Sequence, residues 1–242
     1  MSTPDPEEKS VDFSVLLASS IHDIKNSLGF VLSKLDQALI EDSGRLEFSP
    51  ELAVELNHEA KRANKALIQL LSLYRMESKQ YVLQRQNVDI DDFFDDCRLR
   101  HDTLLKRKEL ALEVQVAQGL FAEIDPYLVE GVLDNLVINA MRFAQSRIRI
   151  AARMLDSADL EIRVEDDGPG FPEEVHTVGA DGSVSHYRPS KFAAGDTKLG
   201  LYFCEMVAHL HQHGNKTGSI CVSSGGELGG GIVAIKLPIA AA

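Results

Sequence analysis

The apolar residues in the first third of the chain recur at steps of three and four, while the remainder mixes helical and strand-like patterns. The two series are Leu17, Ile21, Ile24, Leu28, Val31, Leu35 and Leu39, then Leu52, Leu56, Ala60, Ala63, Leu67, Leu70 and Tyr74. Such spacing places each series along one side of an α-helix. Gly44 interrupts the pattern, and Ser49 followed by Pro50 is typical of a helix start. The sequence therefore predicts an all-α hairpin of two long helices over residues 12–78, with Asp12 as its first N-cap.

The predicted hairpin cannot bury all of its apolar side chains by itself. Two antiparallel helices cover only the sides that face each other, so each keeps apolar surface exposed. Association of two hairpins from two chains into a four-helix bundle would cover that surface. We therefore predict a homodimer formed through this region. Residues 1–11 are acidic and polar and are predicted to form a disordered tail.

The chain from about Tyr81 onward alternates between helical and strand-like stretches. Helical patterns lie near 91–107, 125–144 and 202–211, and strand-like runs cover 82–90, 110–116, 147–152, 160–165, 219–223 and 232–237. Helices segregated from several strands favour an α+β domain in which helices pack on a sheet. We assign this domain to residues 88–242, after a linker over residues 79–87.

Charge and composition argue against several kinds of partner. The net charge of −12 disfavours nucleic acid and anionic membrane surfaces. No apolar run approaches the ~18 residues that a membrane span needs, and the polar N-terminus does not resemble a signal peptide. Cys97, Cys204 and Cys221 are widely spaced and form no recognisable metal motif. These features favour a cytoplasmic protein.

A short helical motif at residues 21–28 carries the first candidate site. His22 and Asn26 are four residues apart and are therefore neighbours on one helix face. Asp23 can accept a proton from the histidine ring or fix its tautomer. A neutral imidazole is a nucleophile that can carry a covalent group. An ordinary surface histidine on an interaction helix is the alternative, and the motif alone leaves it open.

The predicted helix over 125–144 carries a second candidate site. Asn135, Asn139, Arg142 and Phe143 fall on one face of it. Amide oxygens are ligands for Mg²⁺, which commonly bridges to phosphates, and an arginine can pair with phosphate. Amides that are satisfied by neighbours in the core are the alternative interpretation.

Two glycine-containing segments add features of an anion site. Asp166, Gly168 and Gly170 form a D-x-G-x-G pattern after a predicted strand, where the aspartate can accept a hydrogen bond from an exocyclic amine. A tight turn would use the same residues. Residues 195–201 form a glycine-containing loop ahead of a predicted helix, and the long polar segment 171–194 is expected to act as a lid.

In this order, the motifs resemble those of the sensor histidine kinases of two-component signalling, from about residue 12 to residue 238. The resemblance rests on the His-Asp-x-x-Asn helix, the Asn-x-x-x-Asn-Ala-x-Arg-Phe helix, Asp-x-Gly-x-Gly, Leu-Gly-Leu and a final Gly-Gly-Gly-Ile-Val strand. It implies a dimerisation and histidine-phosphotransfer hairpin followed by a Bergerat-type (GHKL) ATP-binding domain. It also implies ATP and Mg²⁺ as cofactors and a response-regulator receiver domain as a partner.

The resemblance further implies a role for each matching position. His22 resembles the phosphorylated histidine, Asp23 the acid that assists it, and Asn26 the amide that positions water for dephosphorylation. Asn139 resembles the Mg²⁺ ligand, and Asn135 lies one turn earlier. The other positions that resemble nucleotide-binding residues are Arg142, Phe143, Asp166, Gly168, Gly170, Thr197, Lys198, Leu199, Gly200 and Leu201.

Two departures from the family pattern bear on activity. Asp196, Thr197 and Lys198 stand where the family usually has Gly-x-Gly, so their side chains would crowd the phosphates unless Lys198 binds them. No sensor region precedes the predicted hairpin in this sequence, so input is expected from a separate sensory partner, from the short tail or from a region outside this sequence.

Three hypotheses follow from these motifs. An active histidine kinase that also acts as a phosphatase is favoured. A phosphorelay, phosphatase or scaffold protein with a degenerate ATP-binding domain is the alternative. A chaperone-like or topoisomerase-like ATPase is disfavoured, because Asn135 stands where those proteins have a glutamate that activates water.

Overall fold

The computed structural model describes residues 13–41, 50–78, 80–155, 159–173, 177 and 197–239. The chain divides into two compact units, one ending at Gln80 and the other beginning at Tyr81.

Two helices make up the described part of the first unit. Helix α1 runs from Phe13 to Glu41 and helix α2 from Pro50 to Glu77. Proline suits the first position of α2, since its fixed φ is helical and its missing N–H needs no acceptor there. The two helices contact each other. The predicted N-cap Asp12 and the predicted tail lie outside the described residues.

The apolar stripes of α1 and α2 are only partly covered within one chain. Ile21 and Leu28, two members of the predicted stripe, are 50% and 54% exposed. Among the side chains that the structure describes, the other exposed large apolar residues of α1 and α2 are Leu32, Val54, Leu67, Ile68, Leu71 and Tyr74. The contact between the two helices therefore uses only part of the apolar surface that the periodicity predicted.

The second unit begins with strand β1 and alternates helices with strands. Its described elements are β1 (Gln86–Asp89), α3 (Ile90–Arg107), β2 (Ala111–Val116), β3 (Phe121–Ile124), α4 (Pro126–Phe143), β4 (Arg147–Met154), β5 (Asp159–Asp166), α5 (Thr197–Leu210), β6 (Gln212–His213), β7 (Lys216–Thr217), β8 (Ser219–Ser224) and β9 (Gly231–Pro238).

A five-stranded mixed sheet is the scaffold of this unit. The strand order is β2–β4–β5–β9–β8, with β2 parallel to β4 and the other neighbours antiparallel. Strands β1 and β3 form one short antiparallel ribbon, and β6 and β7 form another. Helix α3 contacts β2, α4 contacts β4 and β5, and α5 contacts β8 and β9. The predicted α+β class of this half is confirmed.

The register of the sheet shows on which of its faces Asp166, at the end of β5, lies. Val164 on β5 pairs with Ile150 on β4 and with Val233 on β9, and all three side chains are buried. Because side chains alternate along a strand, residues two apart share one face of the sheet. Asp166 therefore lies on the same face as this apolar row, at the end of the strand.

Three features of the second unit differ from the sequence-based expectations. Strands β3, β6 and β7 were not predicted, because two to four residues give little periodicity. Strand β1 covers only the last part of the predicted strand over 82–90. Helix α5 begins at Thr197, so Gly200 lies within the helix and not in a loop. Buried Leu199 and Leu201 on either side of Gly200 anchor this first turn in the domain.

The predicted linker over 79–87 matches the division between the units only in part. Residues 81–87 belong to the second unit. The hydroxyl of Tyr81 donates to Asp125 Oδ2 at 3.2 Å, and the N–H of Gln84 donates to the same oxygen at 2.9 Å. These bonds fix to the second unit a segment that was predicted to be a linker.

None of the helices in the described ranges is both long enough and apolar enough to cross a membrane.

Candidate nucleotide and phosphotransfer sites

The carboxylate of Asp166 is buried at the end of β5 and held by the main chain. Its Oδ1 accepts hydrogen bonds from the N–H of Gly168 at 2.8 Å and of Gly231 at 3.2 Å. Burial raises the pKa of Asp166, the two N–H donors oppose that rise, and the charge of Asp167 adds to it. Two donors on one oxygen fix the carboxylate, so Oδ2 is held in one direction, as recognition of an exocyclic amine requires.

Glycines surround Asp166 so closely that side chains would not fit. A Cβ added to Gly168 would lie 2.4 Å from the carbonyl oxygen of Phe143. A Cβ on Gly230 would lie 2.4 Å from the carbonyl oxygen of Asp166, and one on Gly231 would lie 2.8 Å from Asp166 Oδ2. The sequence predicted a role for Gly168 but assigned none to Gly230 or Gly231. The glycine run before β9 was visible, but its contact with Asp166 depends on the β5–β9 pairing.

The loop after Asp166 is joined to the edge of the sheet. Gly170 has a φ of 79°, the left-handed conformation that glycine adopts without strain. The N–H of Phe171 donates to Ser224 Oγ at 2.7 Å, and this hydroxyl donates to the carbonyl oxygen of Phe171 at 3.2 Å. Ser224 ends the edge strand β8, so a residue distant in sequence holds the loop in place.

Asp167 fastens the other side of the same loop. Its carboxylate accepts from the Ser146 hydroxyl at 2.6 Å and from the N–H groups of Gln145, Ser146 and Arg147 at 2.8–3.1 Å. Burial opposes ionisation of Asp167, but these hydrogen bonds outweigh it and lower its pKa. The second aspartate of the motif is therefore structural and joins the loop to the turn after α4. No role for Asp167 was predicted from the sequence.

The two amides of α4 lie at the margin of the core. Asn135 and Asn139 are half-buried, while Arg142 and Phe143 are exposed near the end of the helix. The opposite side of α4 is fully buried, so the four residues share one face, as predicted. The carbonyl oxygen of Phe143 adjoins Gly168, which brings the end of this face beside the loop after Asp166.

The start of α5 lies next to the same face of α4. A Cβ placed on Gly200 would lie 3.7 Å from Asn135 Cγ, an ordinary van der Waals contact. The N–H groups of a first helical turn have no partners within the helix and favour anions. Thr197 and Lys198 belong to this turn, but their side chains lie outside the described part of the structure. Asp196 and most of the predicted lid also lie outside it.

The candidate phosphotransfer residues lie on α1, in the first unit. His22 and Asn26 are both exposed, and the amide nitrogen of Asn26 is 3.1 Å from His22 Nδ1. The two side chains are thus within hydrogen-bonding distance, and the tautomer of the ring decides which of them donates. Asp23 follows on the same helix, and its side chain lies outside the described part.

A buried hydrogen-bond network outside the predicted sites supports α4. Asp125 Oδ1 accepts from the N–H of Leu128 at 3.2 Å and caps the helix. The N–H of Asp125 donates to His211 Nε2 at 3.2 Å, and His211 Nδ1 donates to the carbonyl oxygen of Val207 at 2.8 Å. Burial lowers the pKa of His211, and the neutral ring can both donate and accept in this network.

The arrangement in the second unit fits a nucleotide. The fixed, buried carboxylate of Asp166 can accept a hydrogen bond from a nucleotide base, and the glycines around it allow a ligand to approach the backbone closely. Helix α4 offers amide oxygens, and the N-terminus of α5 beside it is suited to phosphate. A divalent cation such as Mg²⁺ prefers the oxygen ligands that Asn135 and Asn139 supply.

A family model supports this interpretation. Residues 124–241 match the family described as histidine kinase-, DNA gyrase B- and HSP90-like ATPase. The sensor histidine kinase TmoS of Ectopseudomonas mendocina is 25% identical over 228 residues, which cover 93% of this chain. The chain is a relative of the sensor histidine kinases. It spans 23% of the length of TmoS and less than half of the length of the other curated relatives it matches.

Solved structures of histidine kinases share the fold of the present chain. The Acinetobacter baumannii histidine kinase AdeS superimposes with a TM-score of 0.68 at 18% identity, over 91% of this chain and 98% of that chain. The histidine kinase ThkA, solved in complex with the response regulator protein TrrA, superimposes with a TM-score of 0.63 at 17% identity. That match covers 93% of this chain and 61% of the ThkA chain.

Proposed function

We propose that this chain is an ATP-dependent protein histidine kinase that phosphorylates its own His22 and passes the phosphoryl group to an aspartate of a receiver domain. The observation that carries the proposal is the fixed, glycine-lined carboxylate of Asp166 beside the amide face of α4. The same chain has an exposed histidine, His22, on helix α1. ATP supplies the phosphoryl group when it is bound, with Mg²⁺ shielding the phosphate charges.

In this proposal, residues of the second unit bind ATP and Mg²⁺. Asp166 accepts a hydrogen bond from the exocyclic amine of adenine, while Gly168 and Gly170 admit the ring beside the backbone. Asn139, with Asn135 one turn earlier, holds Mg²⁺. The remaining proposed contacts come from Arg142 and Phe143 at the end of α4 and from Thr197, Lys198, Leu199, Gly200 and Leu201 in the first turn of α5.

The residues of the first unit perform the phosphotransfer. His22 is the nucleophile and Asp23 assists it by accepting a proton or by fixing the ring. The contact of 3.1 Å between the amide nitrogen of Asn26 and His22 Nδ1 supports a part for this amide in positioning water beside the phosphorylated histidine's partner during dephosphorylation. The exposure of both side chains gives a partner domain access to the histidine.

The helices α1 and α2 form the dimerisation hairpin in this proposal. Their exposed apolar residues, such as Ile21, Leu28, Leu67 and Leu71, are those that a second copy would cover in a four-helix bundle. A response-regulator receiver domain is the proposed partner. The solved ThkA–TrrA complex supports this choice, because that chain shares the fold of the present one.

Labelling with γ-labelled ATP and Mg²⁺ tests the kinase proposal. We expect acid-labile, alkali-stable label on the wild-type chain and none on His22→Gln. His213→Gln, which changes an exposed histidine on β6, should incorporate label normally. Undiminished label on His22→Gln would contradict the assignment. Absence of label from every variant, with dephosphorylation of a receiver domain retained, would favour a phosphorelay protein with a degenerate ATP-binding domain.

We further propose a phosphatase activity that depends on Asn26. The variant Asn26→Ala should still accept label at His22 but dephosphorylate a phosphorylated receiver domain at least about tenfold more slowly. Asn57→Ala, which changes an exposed amide on α2, is the matched control and should leave both rates unchanged. Equal loss of both activities in Asn26→Ala would contradict a role specific to dephosphorylation.

A further inference from the structure

Three side chains with metal-binding atoms meet between α3 and α4. Cys97 and His101 lie one turn apart on α3, and Asp134 faces them from α4. The thiol sulfur, a ring nitrogen and a carboxylate oxygen all lie within 4.8 Å of one another. His101 Nε2 is 3.0 Å from Asp134 Oδ1. We propose that Cys97, His101 and Asp134 bind one divalent transition-metal ion of the zinc type.

The chemistry of the three ligand atoms indicates which metal ions can bind. Zinc takes thiolate, imidazole and carboxylate ligands at about 2.0–2.3 Å, so two ligand atoms at a tetrahedral angle lie roughly 3.3–3.8 Å apart. The three atoms already lie within 4.8 Å of one another, so shifts of about 1 Å would bring them to such separations. Mg²⁺ and Ca²⁺ prefer all-oxygen sites and are disfavoured by the thiol and the imidazole. The site is thus chemically distinct from the proposed Mg²⁺ site at Asn139.

The burial of the cluster suits a bound ion. Cys97 is fully buried and His101 is 9% exposed, which keeps competing water away from two ligands. The side chain of Asp134 is 28% exposed, which gives the ion a path from solvent. A water molecule would supply the fourth ligand of a tetrahedral site.

Charge balance also favours a divalent ion. A thiol that coordinates a metal ion is deprotonated, so the ion displaces the Cys97 proton to solvent. The thiolate and Asp134 then neutralise the two positive charges. Arg100 lies 3.7 Å from Asp134 Oδ1 but 3.2 Å from Glu130 Oε1, so it keeps an acidic partner when the ion takes Asp134.

Titration of the full chain with Co²⁺ and Zn²⁺, after treatment with a chelator, tests the site. Cobalt reports thiolate ligation through a charge-transfer absorption band, and calorimetry gives the stoichiometry for zinc. We expect one ion per chain and a band that is abolished in Cys97→Ser. His101→Gln and Asp134→Asn should weaken zinc binding by at least about tenfold. Zinc should also raise the melting temperature of the wild type but not of Cys97→Ser.

The controls separate ligation from general damage. Cys221→Ser, at a half-buried cysteine outside the cluster, should bind like the wild type. His101→Gln is the second variant, in case serine at the fully buried position 97 unfolds the domain. Absence of the band in the wild type would overturn the proposal. So would persistence of the band in Cys97→Ser, or equal loss in Cys221→Ser. These readouts use no ATP, so a failure here is independent of the kinase proposal.

Discussion

Gly168 has no room for a side chain because the carbonyl oxygen of Phe143 already occupies the space. The contact is with backbone at the end of α4, so neither partner can rotate away. Gly200 is different, since its nearest neighbour is the side chain of Asn135 at ordinary contact distance. Two glycines of the nucleotide motifs are thus required for different reasons, one by packing and the other only through the proposed ligand.

Alanine at these two positions should therefore have opposite effects on stability. We expect Gly168→Ala to lower the free energy of unfolding by about 2–4 kcal/mol, because the loop after β5 must move away from α4. Gly200→Ala should leave it unchanged or raise it by about 0.5–1 kcal/mol, because alanine favours a helix. Urea unfolding of the two variants and the wild type measures this. A similar destabilisation in both would contradict the packing argument.

A single glutamate on α5 should make stability depend on pH. Glu205 is 9% exposed, and burial raises its pKa from 4.5 to about 7. Between those values the unfolded chain releases the proton while the folded chain keeps it. The free energy of unfolding is therefore unaffected by ionisation of Glu205 below about pH 4.5, and it decreases as the pH rises from there toward 7.

The substitution Glu205→Gln removes this dependence. The variant should gain stability relative to the wild type at pH 8, by at most about 3 kcal/mol, and much less at pH 5. Glu123→Gln, at an exposed position of β3, is the matched control and should follow the wild-type pH profile. Thermal unfolding at the two pH values measures both. A gain that is the same at pH 5 and pH 8 would contradict the linkage.

At the scale of elements, Asp125 does more than cap α4. Besides the N–H of Leu128, it accepts hydrogen bonds from Tyr81 and Gln84. It thereby joins the chain entering the second unit to the helix that carries both site amides. Among the described residues, the side chain of Asp89, the N-cap of α3, accepts from the N–H groups of Asp91 and Asp92, and both bonds are exposed to solvent.

Removing the two caps should separate their roles. Asp89→Ala should cost about 1 kcal/mol, the usual value of an N-cap. Asp125→Ala should cost about 2–4 kcal/mol, because buried donors then lose their acceptor. Denaturant unfolding of both variants gives the comparison. Equal losses would mean that the bonds from Tyr81 and Gln84 add nothing to the cap.

At the scale of the whole molecule, the second unit has the core of an independent domain. Its sheet and three helices bury their own apolar rows, and the division falls at Gln80. We expect residues 81–242 expressed alone to unfold cooperatively and to bind a fluorescent ATP analogue. They should incorporate no label, because His22 is absent. Lack of a cooperative transition would show that the first unit is required for folding.

Local patterns were sufficient for much of this architecture. Periodicity predicted α3, α4 and the five strands of the main sheet. Helix periodicity also placed Asn135, Asn139, Arg142 and Phe143 on one face. These features depend on residues within a turn or a few positions of one another, and their free energies are therefore visible in short segments.

Only the tertiary structure decided which distant residues meet. The contact of Gly231 with Asp166 needs the β5–β9 pairing, and the joining of Ser224 to Phe171 needs the edge strand β8. The sequence found no metal motif around Cys97, because its third partner, Asp134, is supplied by another helix. The early start of α5 likewise depends on burial of Leu199 and Leu201 in the domain. Such contacts depend on how strands and helices pack after chain segments far apart in sequence come together, and no local periodicity encodes that.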